Sequence, residues 1–372
     1  MPYRAMKTWS APDLGLEGAD DLRGAYAPSE LTLEITRSCP LRCVLCSSDG
    51  GASCENELGL GQWIRIIEEA SVLGTRTIIF SGGEPFSSPW LLPLCTHTRK
   101  KSMDVCVYTS GNIENGGARS LEQGSLTALR ECGVKKLIFS LHGPNSAVHE
   151  SMTQVPGSFG NTLASIRDSI ELGFNVEIHY VPTRLSYRLL PDVVSLAKKL
   201  HVARVSILRF VAQGRGRTNQ SFLDLTADQL TELRTLLEGA RQVKSVDVRI
   251  GAPFSALLLN GCARCSAGLS RATIRSDGMV YPCEAFKNLP HYQASSIVNR
   301  TLKWIWENDS AFEQARQSAA LVAKSRCIQC HAFAICRGGC PAQRIASGHA
   351  ILDSPDPICS QLLEMVIQTD RL

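Results

Sequence analysis

Hydrophobic and polar positions alternate along this chain in two textures. Short apolar, β-branched runs predict strands at LTLEIT (31–36), TIIFSG (77–82), DVCVYTS (104–110), KKLIFSL (135–141), NVEIHYV (175–181) and ARVSILRF (203–210). Between them, WIRIIEEASVLG (63–74) and residues 90–101, 120–132, 161–172 and 189–200 carry apolar positions at helical spacing. Gly74, Gly133 and Gly173 follow three of these runs as C-terminal caps. Six β-then-α steps predict an α/β fold with a parallel sheet and helices outside it. The sheet is expected to be an open doubly wound sheet or a partly closed barrel. Either one presents ligands to the C-terminal ends of its strands, and every unusual motif falls just after a strand.

The texture also divides the chain. Residues 1–30 read as an extension, 31–215 as the alternating domain, and 216–258 as a connecting helix (about 226–242) and strand (246–250). The polar, Gly-rich segment QGRGRTNQ (213–220) closes the alternating domain. From 259 to 372 the chain breaks into short pieces rich in cysteine, which read as a second, metal-organised domain. The chain has 372 residues, 44% apolar and 20% charged, enough to bury a sizeable core. A net charge of +4, scattered, gives no footing for a nucleic acid or an anionic membrane, and neither is expected as a partner. No apolar run approaches the roughly 18 residues of a membrane span, and the N-terminus has no signal-peptide core. The expected location is the cytoplasm. There, 15 clustered cysteines point to metal ligands rather than disulfides.

The first cysteine cluster is CPLRCVLC, with Cys39, Cys43 and Cys46 directly after the first strand. Three thiolates in one loop can hold three irons of a [4Fe–4S] cube and leave the fourth iron open. A structural zinc site, the competing reading, wants four ligands and finds only three here. With this spacing the chain resembles the radical S-adenosylmethionine (SAM) enzymes. That resemblance implies a partial (β/α)6 barrel, SAM bound at the open iron, and reductive cleavage to a 5′-deoxyadenosyl radical that abstracts a hydrogen from substrate. Leu45 stands where the family usually has an aromatic residue. SGGEP (81–85), after the second strand, matches the family's motif for the SAM amino group, which implies that role for Gly82, Gly83 and Glu84. Ser110 and Asn112 after the third strand, and Ser140 and His142 after the fourth, are further candidates for SAM contacts, as helix capping and local backbone bonds are the alternative. Arg184 and Arg209, after the fifth and sixth strands, are candidates to pair with the SAM carboxylate.

The C-terminal cysteines resemble the SPASM domain that extends many peptide-modifying members of this family. Cys265 is followed by Gly278 and Cys283, then by Cys327, Cys330, Cys336 and Cys340 at spacings x2, x5 and x3, and finally by Cys359. The resemblance implies two auxiliary [4Fe–4S] clusters, three clusters in all. Cys265, Cys283 and Cys340 would hold the first, with Cys262 as a candidate fourth ligand. Cys327, Cys330, Cys336 and Cys359 would hold the second. Zinc knuckles at the C-x2-C pairs are the alternative. Cys95, Cys106 and Cys132 lie on apolar stretches and read as small core residues, and Cys54 as a loop residue. Glu284 follows Cys283, where relatives place a proton-accepting carboxylate. Burial beside a cluster is expected to raise its pKa.

The resemblance implies a peptide substrate and an oxidative outcome such as a cross-link or thioether, with a flavodoxin or ferredoxin as electron donor. Only 38 residues precede Cys39, too few for the N-terminal peptide-recognition domain of some relatives. Recognition is therefore expected to use a separate protein or the barrel mouth. A small-molecule sugar or alcohol dehydrogenase or epimerase is the first alternative. A non-catalytic, zinc-organised binding protein is the second.

Overall fold

A computed structural model describes residues 27–114, 116–259, 265–289, 292–322, 327, 333–348 and 355–359. Residues 1–26 of the expected extension, Cys262, Cys330 and residues 360–372 lie outside these. The strands are β1 (Glu30–Glu34), β2 (Thr77–Ser81), β3 (Asp104–Thr109), β4 (Asn112–Glu114), β5 (Ala118–Ser120), β6 (Lys136–Ser140), β7 (Asn175–Tyr180), β8 (Arg204–Ile207), β9 (Asp247–Ile250), β10 (Arg271–Ile274) and β11 (Val280–Tyr281). Nine of them form one sheet in the order β11-β10-β1-β2-β3-β6-β7-β8-β9. All neighbours are parallel except β10 and β11.

The six strands expected from the alternation lie side by side in the middle. The sheet then runs past the expected boundaries. The connecting strand joins one edge as β9, and the cysteine-rich region contributes β10 beside β1 at the other edge. Among the described residues the edges β9 and β11 do not pair, so the sheet stays open. Two elements carried no clear periodicity: the hairpin β4–β5, and helix Ser146–Thr153 (α-helical), which Asn145 caps by accepting from the Val148 N–H. No helix among the described residues is long and apolar enough to cross a membrane.

Period-2 alternation gives the sheet one apolar and one polar face. Leu31 and Leu33, Val105 and Val107, Leu137 and Phe139, Val176 and Ile178, and Val205 and Ile207 join Trp63, Ile66, Leu94, Leu126, Ile166, Val193 and Leu233 from the helices in one core. The other face carries Thr32, Glu34, Glu177, His179 and Ser206, all shielded from solvent or nearly so. A carboxylate there requires partners, because an unpaired buried charge is costly. Glu177 is 3% exposed. It lies 2.6 Å from Lys136 Nζ and 3.2 Å from His179 Nε2, and accepts from the Ser206 hydroxyl. Burial alone would raise its pKa, but these three bonds together hold it well below the ordinary 4.5.

Because its folded pKa is depressed, Glu177 adds stability above the ordinary carboxylate range and loses it as pH falls. E177Q is expected to cost roughly 1–3 kcal/mol at pH 7. The gap from wild type should narrow as pH drops below 4.5, which urea melts at several pH values would check. A gap independent of pH would mean that the ionised carboxylate does not matter.

Candidate active site at the strand ends

The cysteine loop leaves β1 and is tied down on three sides. On the first side, the Cys39 N–H donates to Gly51 O at 2.9 Å and the Gly51 N–H donates to Arg37 O at 2.8 Å. On the second, the N–H groups of Arg42 and Val44 donate to the carbonyls of Thr153 and Met152, at the end of helix Ser146–Thr153. On the third, Arg215 Nε donates to Cys43 O at 3.0 Å and its Nη1 to Gly50 O at 2.8 Å, while Asn219 Nδ2 donates to Val44 O. Reading QGRGRTNQ as a polar closing segment missed this second function. Its dense Gly–Arg pattern at a strand end was the available signal.

The turn after β2 docks on the same loop. The Gly83 N–H donates to Thr36 O and the Glu84 N–H to Ser38 O, both at 2.7 Å. A Cβ on Gly83 would lie 2.3 Å from Ser38 O and 2.4 Å from Arg37 O, and one on Gly82 would lie 2.3 Å from Thr36 O. The two glycines are therefore required by the approach of one backbone to another.

Glu84 is fully buried. Its Oε1 accepts from Thr109 Oγ1 at 2.8 Å, and its Oε2 accepts from the Ser110 N–H at 2.8 Å and the Ser110 hydroxyl at 2.6 Å. Burial raises its pKa against the pull of these bonds. The Glu84 side chain thus fastens the end of β3 to the SGGEP turn.

Three expectations about single side chains change. Asn112 is fully buried; its amide donates to Ser110 O and Thr162 Oγ1 and accepts from Asn161, so it is spent within the protein. Arg184 is exposed and donates to Asp224 O at 2.9 Å. Arg209 pairs at 2.6 Å with Asp356 of the C-terminal region, not with a site at its own strand end. Ser140 stands at the end of β6 in register with His179. His142 is buried and its Nδ1 has no partner among the described residues; burial lowers its pKa to about 4, so the ring is neutral. Its backbone N–H donates to His149 Nδ1 at 3.3 Å.

The three loop thiols lie within electrostatic reach of one another. Burial first, then the Glu84 charge and Cys46, pushes the Cys39 thiol up to about 12, and Arg215 opposes this. Burial, Cys46 and Cys39 likewise raise Cys43 well above its ordinary value. Such thiols lose their protons to a strongly bound cation, the coupling expected of metal ligands. Among the described residues no three His, Cys, Asp or Glu side chains converge on a point suited to one ion. Three soft thiols in one loop suit a multi-iron cluster better than a single zinc ion.

A second thiol group forms in the C-terminal region. Cys265, Cys283 and Cys340 feel one another's charge and line a small apolar core with Phe286, Tyr281 and Ala342. Cys327, Cys336 and Cys359 are described, whereas their expected partner Cys330 is not. Arg344, fully buried on the helix after Cys340, carries its charge near Cys327, Cys340 and Cys265. Cys95 is fully buried as expected, while Cys106 and Cys132 are only partly buried. Cys54 accepts from Arg37 Nη1 at 2.7 Å, a tie between its loop and the residue two before Cys39.

Segment 284–288 brings this group to the barrel. Glu284 Oε1 accepts from Thr32 Oγ1 of β1 at 2.6 Å. Lys287, 2% exposed, pairs with Glu34 of the same strand and donates to Ser48 Oγ at 2.7 Å. Gln213 Nε2 donates to Lys287 O at 2.6 Å, and Asn288 Nδ2 to Ser47 O at 3.0 Å. The expected rise in the Glu284 pKa is overturned. Burial would raise it, but the Arg271 guanidinium and the Thr32 hydroxyl hold it below the ordinary value.

Known proteins resemble this chain in both of its cysteine-bearing regions. Residues 33–204 match the radical SAM superfamily, and residues 265–332 match an iron–sulfur cluster-binding domain of the SPASM type. The chain is 26% identical over 351 residues to the PqqA peptide cyclase of Rhodopseudomonas palustris, covering 92% of this chain and 90% of the relative. It is 29% identical over 344 residues to the mycofactocin maturase MftC of Mycobacterium tuberculosis, covering 91% and 84%. In fold it resembles Streptococcus suis SuiB bound to S-adenosylmethionine, with a TM-score of 0.72 at 18% identity over 90% of this chain and 77% of that one.

Gly83→Ala is expected to push the turn off the Arg37–Ser38 backbone and cost about 1–3 kcal/mol. Thermal melting of the apo protein would check this. An unchanged midpoint would show that the turn relaxes freely.

Proposed function

The chain belongs to the radical SAM superfamily and carries a SPASM iron–sulfur domain, and from that premise we propose that it oxidatively matures a peptide. One juxtaposition supports this reading best. The three-cysteine loop, the SGGEP turn and the segment after Cys283 all bond to β1 or its extension. Cys39, Cys43 and Cys46 hold a [4Fe–4S] cluster. When bound, that cluster supplies the electron that cleaves SAM and frees a 5′-deoxyadenosyl radical to take a hydrogen atom from substrate.

The chain's own residues prepare the place for this. The backbone edge of Gly82, Gly83 and Glu84 receives the SAM amino group, while the Glu84 side chain fixes that edge to Ser110. Ser140 at the end of β6 and His142 just after it would contribute contacts to SAM. Arg215 holds the loop carbonyls and brings a positive charge close to thiols that must ionise. Glu284 and Lys287 fix the auxiliary domain to β1, and Glu284 beside Cys283 is the candidate to accept a proton from substrate.

Cys265, Cys283 and Cys340 hold one auxiliary cluster, with Cys262 or an open iron completing it. Cys327, Cys330, Cys336 and Cys359 hold the other, for three clusters in total. One relative is named a PqqA peptide cyclase and another a mycofactocin maturase, and the first of these names favours a peptide over a sugar or alcohol. A separate peptide-recognition protein and a flavodoxin or ferredoxin donor complete the scheme. Reduced thiols and an exposed iron suit the cytoplasm.

Anaerobic reconstitution is expected to give about twelve irons and twelve sulfides per chain, four per cluster. C43A should lose about a third of that iron and all 5′-deoxyadenosine formation. C283A should lose auxiliary iron and keep SAM cleavage. About four irons in the wild type would sink the auxiliary clusters, and zinc throughout would sink the enzyme.

A further inference from the structure

Asp356 joins its own turn and the Cys340 turn to Arg209, 147 residues away. Its Oδ2 accepts from Arg209 Nη1 at 2.6 Å and from the Cys340 N–H at 2.9 Å. Its Oδ1 accepts from the Ile358 N–H at 3.0 Å and so caps the helical turn that carries Cys359. The carboxylate is 1% exposed and the Arg209 side chain 12%. Gly339 adopts φ +75°, and a Cβ there would lie 2.5 Å from the Asp356 side chain, so the turn before Cys340 is closed directly onto the carboxylate. One buried ion pair therefore reaches from the end of β8 to a member of each auxiliary cysteine group.

We infer that Asp356 is a positioning residue shared by both auxiliary clusters, with Arg209 as its counter-charge from the barrel. The inference rests on the auxiliary-cluster reading above. Its physical content has two parts. First, the carboxylate fixes the backbone on which the Cys340 and Cys359 thiolates are presented. Second, it claims the Cys340 N–H, which is then withheld from the cluster sulfurs, and it places a negative charge beside them. Hydrogen bonds and local charge both set cluster potentials. Removing the carboxylate thus favours the reduced cluster, and removing the guanidinium disfavours it. The two changes act with opposite sign, although they break the same ion pair.

The test uses the full-length protein, anaerobically reconstituted, as wild type, D356N and R209Q. Iron per chain is measured first, and cluster potentials follow by dye-mediated titration read by electron paramagnetic resonance without substrate. Wild type near twelve irons is the separate control on the auxiliary clusters themselves; near four, that reading fails and this inference goes with it. With the control met, D356N should raise an auxiliary potential and R209Q lower it. Each shift should be about tenfold in the one-electron equilibrium, or 59 mV, with the SAM-site cluster unmoved. Shifts of the same sign, or potentials within twofold of wild type in both variants, would overturn the inference. If D356N does not accumulate as folded protein, the sign of the R209Q shift decides alone.

Discussion

The second strand's turn lies so close to the backbone leaving the first strand that no side chain fits between them. Gly83 and Glu84 donate their N–H groups to Thr36 and Ser38, so the ladder of β1 and β2 runs on past the end of both strands. This extension fixes the direction in which Cys39 leaves the sheet. Everything else in the site is hung on that fixed stub: the helix end that takes the Arg42 and Val44 N–H groups, the Arg215 side chain that gathers the loop carbonyls, and the Glu84 carboxylate that ties in the third strand. A Cβ at Gly83 would disturb all of these at once, because they share one stretch of backbone.

The polar face of the sheet explains how two domains with different textures become one site. A sheet interior lined with charged side chains must find counter-charges, and some of these come from outside the central strands. Glu34 takes Lys287 and Glu284 lies near Arg271, while Arg209 takes Asp356. Buried pairs of this kind add little net stability against apolar alternatives, but breaking one is costly. Their effect is to fix which surfaces meet. The auxiliary cysteines are delivered to the strand ends by these pairs and by β10 lying beside β1, and not by a separate domain interface.

The alternation of apolar and polar runs made the six central strands and most of their helices legible. The boundaries agree to within a few residues, since the period-2 pattern is a direct consequence of burying one face. Helix Ser146–Thr153 and the hairpin β4–β5 escaped, because their apolar content is low and their stability comes from contacts with the cysteine loop and the neighbouring helix. The cysteine motifs were legible for a different reason. Cluster ligands must be closely spaced in a loop, and that spacing survives in the sequence. Polar residues near them were not. Ser110 and Asn112 looked like ligand contacts at a strand end, and the fold uses them to satisfy Glu84 and the helix beside them. Arg184, Arg209 and Glu284 have the expected charges but face partners that no local pattern could name.

By itself the sequence determined the alternating architecture, the two cysteine-bearing regions and the kind of cofactor chemistry they allow. Each of these is encoded by neighbours within a few residues of one another. Tertiary structure alone decided the pairings between distant residues: Thr32 with Glu284, Glu34 with Lys287, Cys43 with Arg215, Asp356 with Arg209 and Cys340. The reason is physical. A buried charge or backbone group takes whichever partner the packed chain brings within hydrogen-bond reach. Apart from Asp356 and Cys340, which are 16 residues apart, the separations run from 147 to 253 residues and leave no trace in local pattern.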